Sequence, residues 1–336
     1  AILCSFFIFN FPSMTSASAE MTVAHFLGSG GMGSTDGDAN VAKFRIPNDL
    51  TIDSAGNVYV LDYNGIRKID ALNKVTTLFV TPLTNNGITN CGLGIDKDSN
   101  LWFGDCRRST LYKVSKEGSL LQTISMPNPQ NSWTTSQGIE ALPDGSILVT
   151  NWFEGKIHKV TPNGVVSTFF QSPITGSCNT YPKPNGIVCP MDLAVSPNGD
   201  VWVLSQGATG QEILKITSSS AYTKVSSPSN PSVIEYTNGA LYAAASDSGG
   251  LPYWRLYRIS EQGATNLAYS RYDLTRWNAN NFSFLNAETL FMTSFENNVI
   301  RKINISSGSE SVIGDAKSGN NDGELSKATT FNPTGI

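Results

Sequence analysis

Leu50-Thr51-Ile52-Asp53-Ser54-Ala55-Gly56-Asn57-Val58-Tyr59-Val60-Leu61-Asp62, followed shortly by Ile66-Arg67-Lys68-Ile69, is the stretch that decides the fold. Its apolar start meets a four-residue turn at Ser54–Asn57, rich in residues that tolerate the backbone of a tight hairpin. The β-branched and aromatic run Val58-Tyr59-Val60 then reads as an inner strand buried on both faces. Ile66–Ile69 mixes apolar and basic residues, as expected of a half-exposed strand. A further short turn and Val75–Leu78 complete a four-stranded unit.

The same phrase returns five times. It reads LGIDKDSNLWFGD…LYKV from Leu93, IEALPDGSILVTN…IHKV from Ile139, LAVSPNGDVWVLS…ILKI from Leu193 and IEYTNGALYAAAS…LYRI from Ile234. A weaker copy, FSFLNAETLFMTS…IRKI, starts at Phe282, and successive starts are 43, 46, 54, 41 and 48 residues apart. Short alternating strands at that period are the signature of propeller blades. The fold expected is all-β: a six-bladed β-propeller of four-stranded antiparallel blades, or seven blades in the intact protein.

Gly30–Asp62 carries a Gly-rich stretch, Asp36-Gly37, Ala42-Lys43-Phe44 and Pro47, then the blade phrase with Gly56–Val60. It resembles the NHL-repeat propellers, and the lead-in recurs in Gly319–Ile336 with Asp322-Gly323, Ala328, Phe331 and Pro333. The resemblance implies the fold and leaves activity open, because propellers host many functions. Pro333–Ile336 reads as the opening of another blade, so either a seventh blade is cut off or the tail lies over the seam of a six-bladed ring. Thr22–Leu27 reads as a fourth strand without its own blade, expected to complete the last one and remove an exposed edge.

Of the 336 residues, 40% are apolar and 15% charged, with a net charge of -4 and no basic run. This argues against nucleic acid and anionic membrane surfaces as partners. Ala1–Phe11 is an uncharged apolar run, and Ala17-Ser18-Ala19 supplies a small-x-small cleavage site. Residues 1–19 therefore read as a secretory signal remnant, too short for a membrane span, and residues 20–336 as one propeller domain. A buried strand is the rival reading of the run. Export, to the extracellular space or a periplasm, suits the cysteines. Cys91 and Cys106 flank a predicted hairpin turning at Asp96–Asn100 and fall opposite one another, while Cys178 and Cys189 tie the neck of a long loop. Two disulfides are expected, since close pairs of the zinc-binding C-x-x-C kind are missing.

In a four-stranded blade, the links from strand a to b and from c to d lie on one face, and those from b to c and from d to the next a on the other. Every long connection is of the second kind: Gly28–Ile46, Ser125–Gln137, Gln171–Pro190, Ser205–Gln211, Ser246–Arg255 and Tyr269–Asn280. Trp133, Trp152, Phe153, Tyr181, Tyr253, Trp254 and Trp277 fall in or beside them, with Arg255 nearby. Rings beside amides and hydroxyls suit a glycan, peptide or protein ligand. They equally suit packing of the loops onto the barrel.

The residues that end the six b strands, Asp62, Asp105, Asn151, Ser205, Ser246 and Ser294, should ring the channel mouth on that face. Asp62, Asp105 and Asn151 are the candidates for holding Ca²⁺ or another divalent cation; the other reading is that they satisfy turn backbone groups. Propeller lactonases resemble this fold and use such a carboxylate–amide site. Histidine-dependent propeller lyases offer a weaker parallel, because His25 and His158, the two histidines of the chain, are both expected away from the channel. No nucleophile elbow, H-E-x-x-H or P-loop occurs. The expectation is a secreted, monomeric binding module without a certain cofactor, with a metal-dependent lactonase or hydrolase as the alternative.

Overall fold

The computed structural model describes residues 22–23, 34–38, 42, 49–53, 55, 57–62, 65–70, 72, 74–81, 90–105, 108–127, 138–174, 178–179, 182–225, 228–246, 253–260, 265–272, 279–284, 286–294, 299–307, 310–313 and 323–324. The signal-like residues 1–19 and the sequence from Pro333 lie outside them.

Each sequence repeat forms its own antiparallel sheet, with strands a to d hydrogen-bonded in chain order. The first sheet takes Asp49–Ile52, Val58–Asp62, Gly65–Ile69 and Lys74–Val80, and adds Gly37–Asp38 as a fifth strand outside the last. Five four-stranded sheets follow, with a strands at Asn90–Ile95, Ile139–Ala141, Pro190–Val195, Pro231–Thr237 and Ala279–Phe284. Consecutive a strands lie beside one another from Asp49–Ile52 round to Ala279–Phe284, so they line the axis and d strands lie outermost. This is an all-β propeller of four-stranded antiparallel blades.

The core lies between blades. The b strands Leu101–Asp105 and Ile147–Asn151 are buried along their whole length, flanked by a neighbouring sheet on each side. Tyr59, Leu61 and Ile66 of the first sheet pack on Leu93, Leu101 and Phe103 of the second. Trp102 and Leu111, from the other flank of that second sheet, pack on Ile139, Ile147 and Val149 of the third. The pattern repeats between the third and fourth sheets, and between the fourth and fifth. Period-2 alternation sends successive residues of one strand to two different cores.

The a–b turns are held by side chains written into the repeat. Asp53 accepts the backbone N–H groups of Ala55 and Asn57, and Asp96 those of Asp98 and Asn100. Asp96 also accepts Trp102 Nε1–H at 3.0 Å, and Asp53 accepts the Tyr59 hydroxyl at 3.0 Å. The basic residue of the c strand stacks across to the aromatic of the b strand: Lys68 on Tyr59, Lys113 on Trp102 and Lys215 on Trp202. Register forces these meetings, because each pair is directly opposed in its ladder,. The c–d turn at Gly118, with φ +91°, lies against the first sheet, where a Cβ would overlap the Leu78 carbonyl,.

Two expectations change. Thr22–Val23 pairs with Gly323–Glu324, and the last sheet has its own outer strand at Glu310–Ile313. The lead-in motif pairs differently at the two ends: Gly37 faces Val75 in the outer strand of the first sheet, and Gly323 faces Val23 in a separate two-stranded sheet. In the second sheet, Cys91 stands opposite Gly104 and not Cys106: the strands already pair one residue out of the expected register at Ile95 and Leu101, and a bulge between Cys91 and Leu93 shifts it by one more,. Cys106 and the Cys91 side chain are outside the described residues. Cys178 and Cys189 form the expected disulfide, with Cα atoms 5.7 Å apart, and both are fully buried.

Candidate functional site

The ends of the b strands sit where the repeat places them; the side chains of Asp62, Asp105, Asn151 and Ser205 are engaged locally, and those of Ser246 and Ser294 lie outside the described residues. Asp62 is buried and paired with Arg67 at 3.4 Å; Arg67 also meets Asp36 at 2.7 Å and the Thr35 carbonyl. Asp105 is buried and takes Arg108 at 2.6 Å. Asn151 donates to Glu154 Oε2 at 2.9 Å and accepts the Glu154 N–H. Ser205 Oγ accepts the Cys189 N–H. Asp105 and Asn151 line one cleft, which Asp62 does not reach. Among the described residues no group of three or more His, Cys, Asp or Glu side chains is placed to hold a metal ion.

Of the loop aromatics, Trp152 is half-buried against the Cys178–Cys189 bridge, and the Lys183 ammonium lies 5.0 Å from its ring centroid. Lys183 also donates to the Cys178 carbonyl, and the Phe153 carbonyl accepts the Cys178 N–H at 3.5 Å. Trp152 and Phe153 thus brace the disulfide loop. Tyr253 and Trp254 fall in the c strand Tyr253–Ile259, opposite Tyr272 and Arg271. Arg255 is half-buried and reaches the Tyr257 hydroxyl at 3.5 Å. Trp133, Tyr181 and Trp277 lie outside the described residues.

The structure adds a constellation absent from the sequence expectations. Asp49, Glu140, Asp192 and Glu235 come from the a strands of four blades, each one residue before or after the apolar residue that opens its repeat. In the third, fourth and fifth sheets that apolar residue, Ile139, Leu193 or Ile234, enters an inter-blade core, so its neighbours turn to the opposite flank of the strand,. Two of the carboxylates stitch adjacent blades directly: Asp49 Oδ2 accepts the Leu93 N–H at 2.8 Å, and Asp192 Oδ2 the Ile234 N–H at 3.1 Å. Glu235 accepts the Phe284 N–H, while its Oε2 is buried without a hydrogen-bond partner.

Glu140 lies deep within the protein mass although channel water still reaches it. Desolvation first, then the charges of Asp192, Glu235 and Asp49, push its carboxyl up to about 8,. Desolvation likewise raises Glu235 to about 7 and Asp192 to about 6. Such perturbed groups mark functional sites more often than chance. The sequence signal was an acid beside the first apolar residue of a strand that must face an axis.

Two cavities lie elsewhere among the described residues. One of about 480 Å³ opens on the tight-turn face, lined by the a–b turns of the second to fifth sheets, including Lys97, Pro143, Pro197 and Tyr236. It lies just beyond Glu140 and Glu235 in the chain, on the face opposite the long loops. The other, of about 20 Å³, is the cleft between the second and third sheets that Asp105 and Asn151 line. His158, on the c strand Lys156–Val160 as expected, reaches this cleft. Its imidazole is buried and Nε2 has no hydrogen-bond partner, 4.0 Å from Glu154 Oε2. Desolvation and the Lys156 charge lower its pKa to about 4.

Four-stranded blades in a row, a lined axis and clefts at the strand ends define a β-propeller. No family model matches the chain. Among solved structures it is similar to virginiamycin B lyase from Staphylococcus aureus, at 20% identity and a TM-score of 0.59 over 79% of this chain and 83% of that one. A catalytically inactive variant of that lyase with quinupristin gives 19% identity and 0.61, over 87% and 86%. The nidogen/laminin complex gives 13% and 0.51, over 75% and 90%. At these identities the likeness shows the fold alone.

Proposed function

We propose that the chain is an exported, monomeric binding propeller of the NHL-repeat type, with six blades. In this reading its ligand, a glycan, peptide or protein, is held on the b–c/d–a loop face and presents a cationic group to the channel. The six repeats and six sheets support the blade number, and the buried Cys178–Cys189 bridge supports an oxidising compartment,. The observation that carries the reading is the meeting of Asp49, Glu140, Asp192 and Glu235 around one axis, with Glu235 Oε2 left buried and unpartnered. A ligand ammonium or guanidinium supplies the missing counter-charge and donors. Calorimetric titration with methylguanidinium and with N-acetyl-arginine-amide tests it. Binding that weakens at least tenfold in Glu235→Gln and below pH 6 is expected; binding indifferent to both changes overturns it.

A metal-dependent lactonase or hydrolase is the second reading, favoured by carboxyl groups poised near neutral pH,. Asp62, Asp105 and Asn151 suit a metal less well than the sequence suggested, since Arg67, Arg108 and Glu154 already engage them. Thermal unfolding with and without EDTA separates the readings: a bound divalent ion and a melting point several degrees lower in EDTA favour the enzyme.

A further inference from the structure

The cleft between the second and third sheets is a second feature with an unfilled valence. Its mouth is formed by the ends of two b strands and the start of the b–c and d–a links, so it opens on the loop-rich face. At its floor is His158, with 3% of its surface exposed and Nε2 buried without a partner. Thr110, Thr150 and Asn151 supply polar walls, and Leu111 and Met126 apolar ones. The charges around it are already balanced: Asp105 is paired with Arg108, and Glu154 with Lys156 at 3.6 Å.

We infer that this cleft is a hydroxyl subsite, taking one alcohol group of a polyhydroxylated ligand such as a sugar, with the hydroxyl oxygen at His158 Nε2. The inference rests on the reading that the loop-rich face holds the ligand, and narrows that ligand to a glycan or polyol. Volume, charge and valence agree on the group. The cavity of about 20 Å³ admits something the size of a water molecule,. A charged ammonium or carboxylate would enter a site whose ions are already paired. Nε2 is a donor in one imidazole tautomer and an acceptor in the other, and a hydroxyl serves both. Leaving a buried nitrogen unpaired is costly, so its partner must come from outside the fold. Leu111 and Met126 would face the C–H surface of the same ligand.

The chain has two histidines, so a two-bond ¹H–¹⁵N correlation spectrum contains two imidazoles, and His158→Gln assigns them. Methyl α-D-glucopyranoside and glycerol are titrated against the intact protein, with methylammonium and acetate as comparison probes. The expected result is a saturable shift of the His158 Nε2 resonance with the two polyols, larger than with either ion, while His25 stays unmoved. In calorimetry, His158→Phe weakens the glycoside at least tenfold and His158→Gln far less. A shift with methylammonium instead, or none with any probe, overturns the inference and leaves the cleft a water site. The wild-type titration does not depend on either variant folding. Because methylguanidinium binding reports the channel separately through Glu235→Gln, either reading can fail while the other stands.

Discussion

The two faces of this propeller are built by opposite rules. On the tight-turn face Asp53 and Asp96 each close a hairpin and anchor a b-strand aromatic with the same carboxylate. Toward the loop-rich face links lengthen and His158 Nε2 is buried without a partner, while beside the c–d turns of the other face Gln122 Oε1 is a further such atom. Saturated turns make a scaffold; unsaturated atoms beside long links make a receptor. The cavity of about 480 Å³ on the tight-turn side is accordingly read as the open end of the channel, bordered by spent turns.

Substitutions sharpen this contrast. The largest effect is expected at Asp96→Ala, which strands the Asn100 amide, the Trp102 indole and the Lys113 ammonium, the last 3.4 Å from Asp96, together. A loss of about 3–5 kcal/mol in urea unfolding follows from breaking a buried ionic network, with ligand binding at saturating folded protein unchanged. Replacing Cys178 and Cys189 by Ser should cost about 3 kcal/mol for a loop of this length in the chain-entropy model. It should also change Trp152 fluorescence, since the bridge packs on that ring. At Asn151→Ala the cost should be about 1 kcal/mol for each of the two contacts with Glu154 that are lost, a total of about 2 kcal/mol,.

The channel supplies a pH test of the same contrast. Glu140, Glu235 and Asp192 have folded-state pKa values above their ordinary ones, so their contribution to stability is complete at acid pH, below the ordinary carboxylate range. It is lost as pH rises through about 6 to 8,. Asp96 and Asp53 are shifted the other way by their hydrogen bonds, although burial opposes this. Their contribution is present above the ordinary carboxylate range and falls away as acid is added. Glu140→Gln should therefore raise the melting temperature at pH 8 and leave it nearly unchanged at pH 4.5. An equal gain at both pH values would show that Glu140 is not held among like charges.

Much of the scaffold was legible in the sequence because the repeat encodes it locally. Asp-x-x-x-Asn hairpins, β-branched b strands and basic c strands each answer to neighbours within about twenty residues. The Cys91 register was misjudged for local reasons too: the turn centres half a residue earlier than expected, and a bulge consumes a residue without a compositional mark. The channel carboxylates escaped because their meaning depends on four strands spread from Asp49 to Glu235. Asp62, Asp105 and Asn151 were placed correctly at strand ends; Arg67, which engages Asp62, stands in the c strand of the repeat itself, whereas Arg108 and Glu154 lie in links whose course a repeat does not dictate.

Every internal sheet presents one flank to its predecessor and a different flank to its successor, as Phe103 and Trp102 do from adjacent positions of one strand. A lone blade would bare both flanks to water, and so would not persist as a free unit. A blade duplicated within the row would bring one flank of each kind and leave nothing newly exposed. Growth or loss by whole repeats is thus nearly neutral for the interior, whereas a change of part of a repeat is not. Selection on such a chain acts on a ring size that moves in single steps, while each step carries its own fresh set of loops.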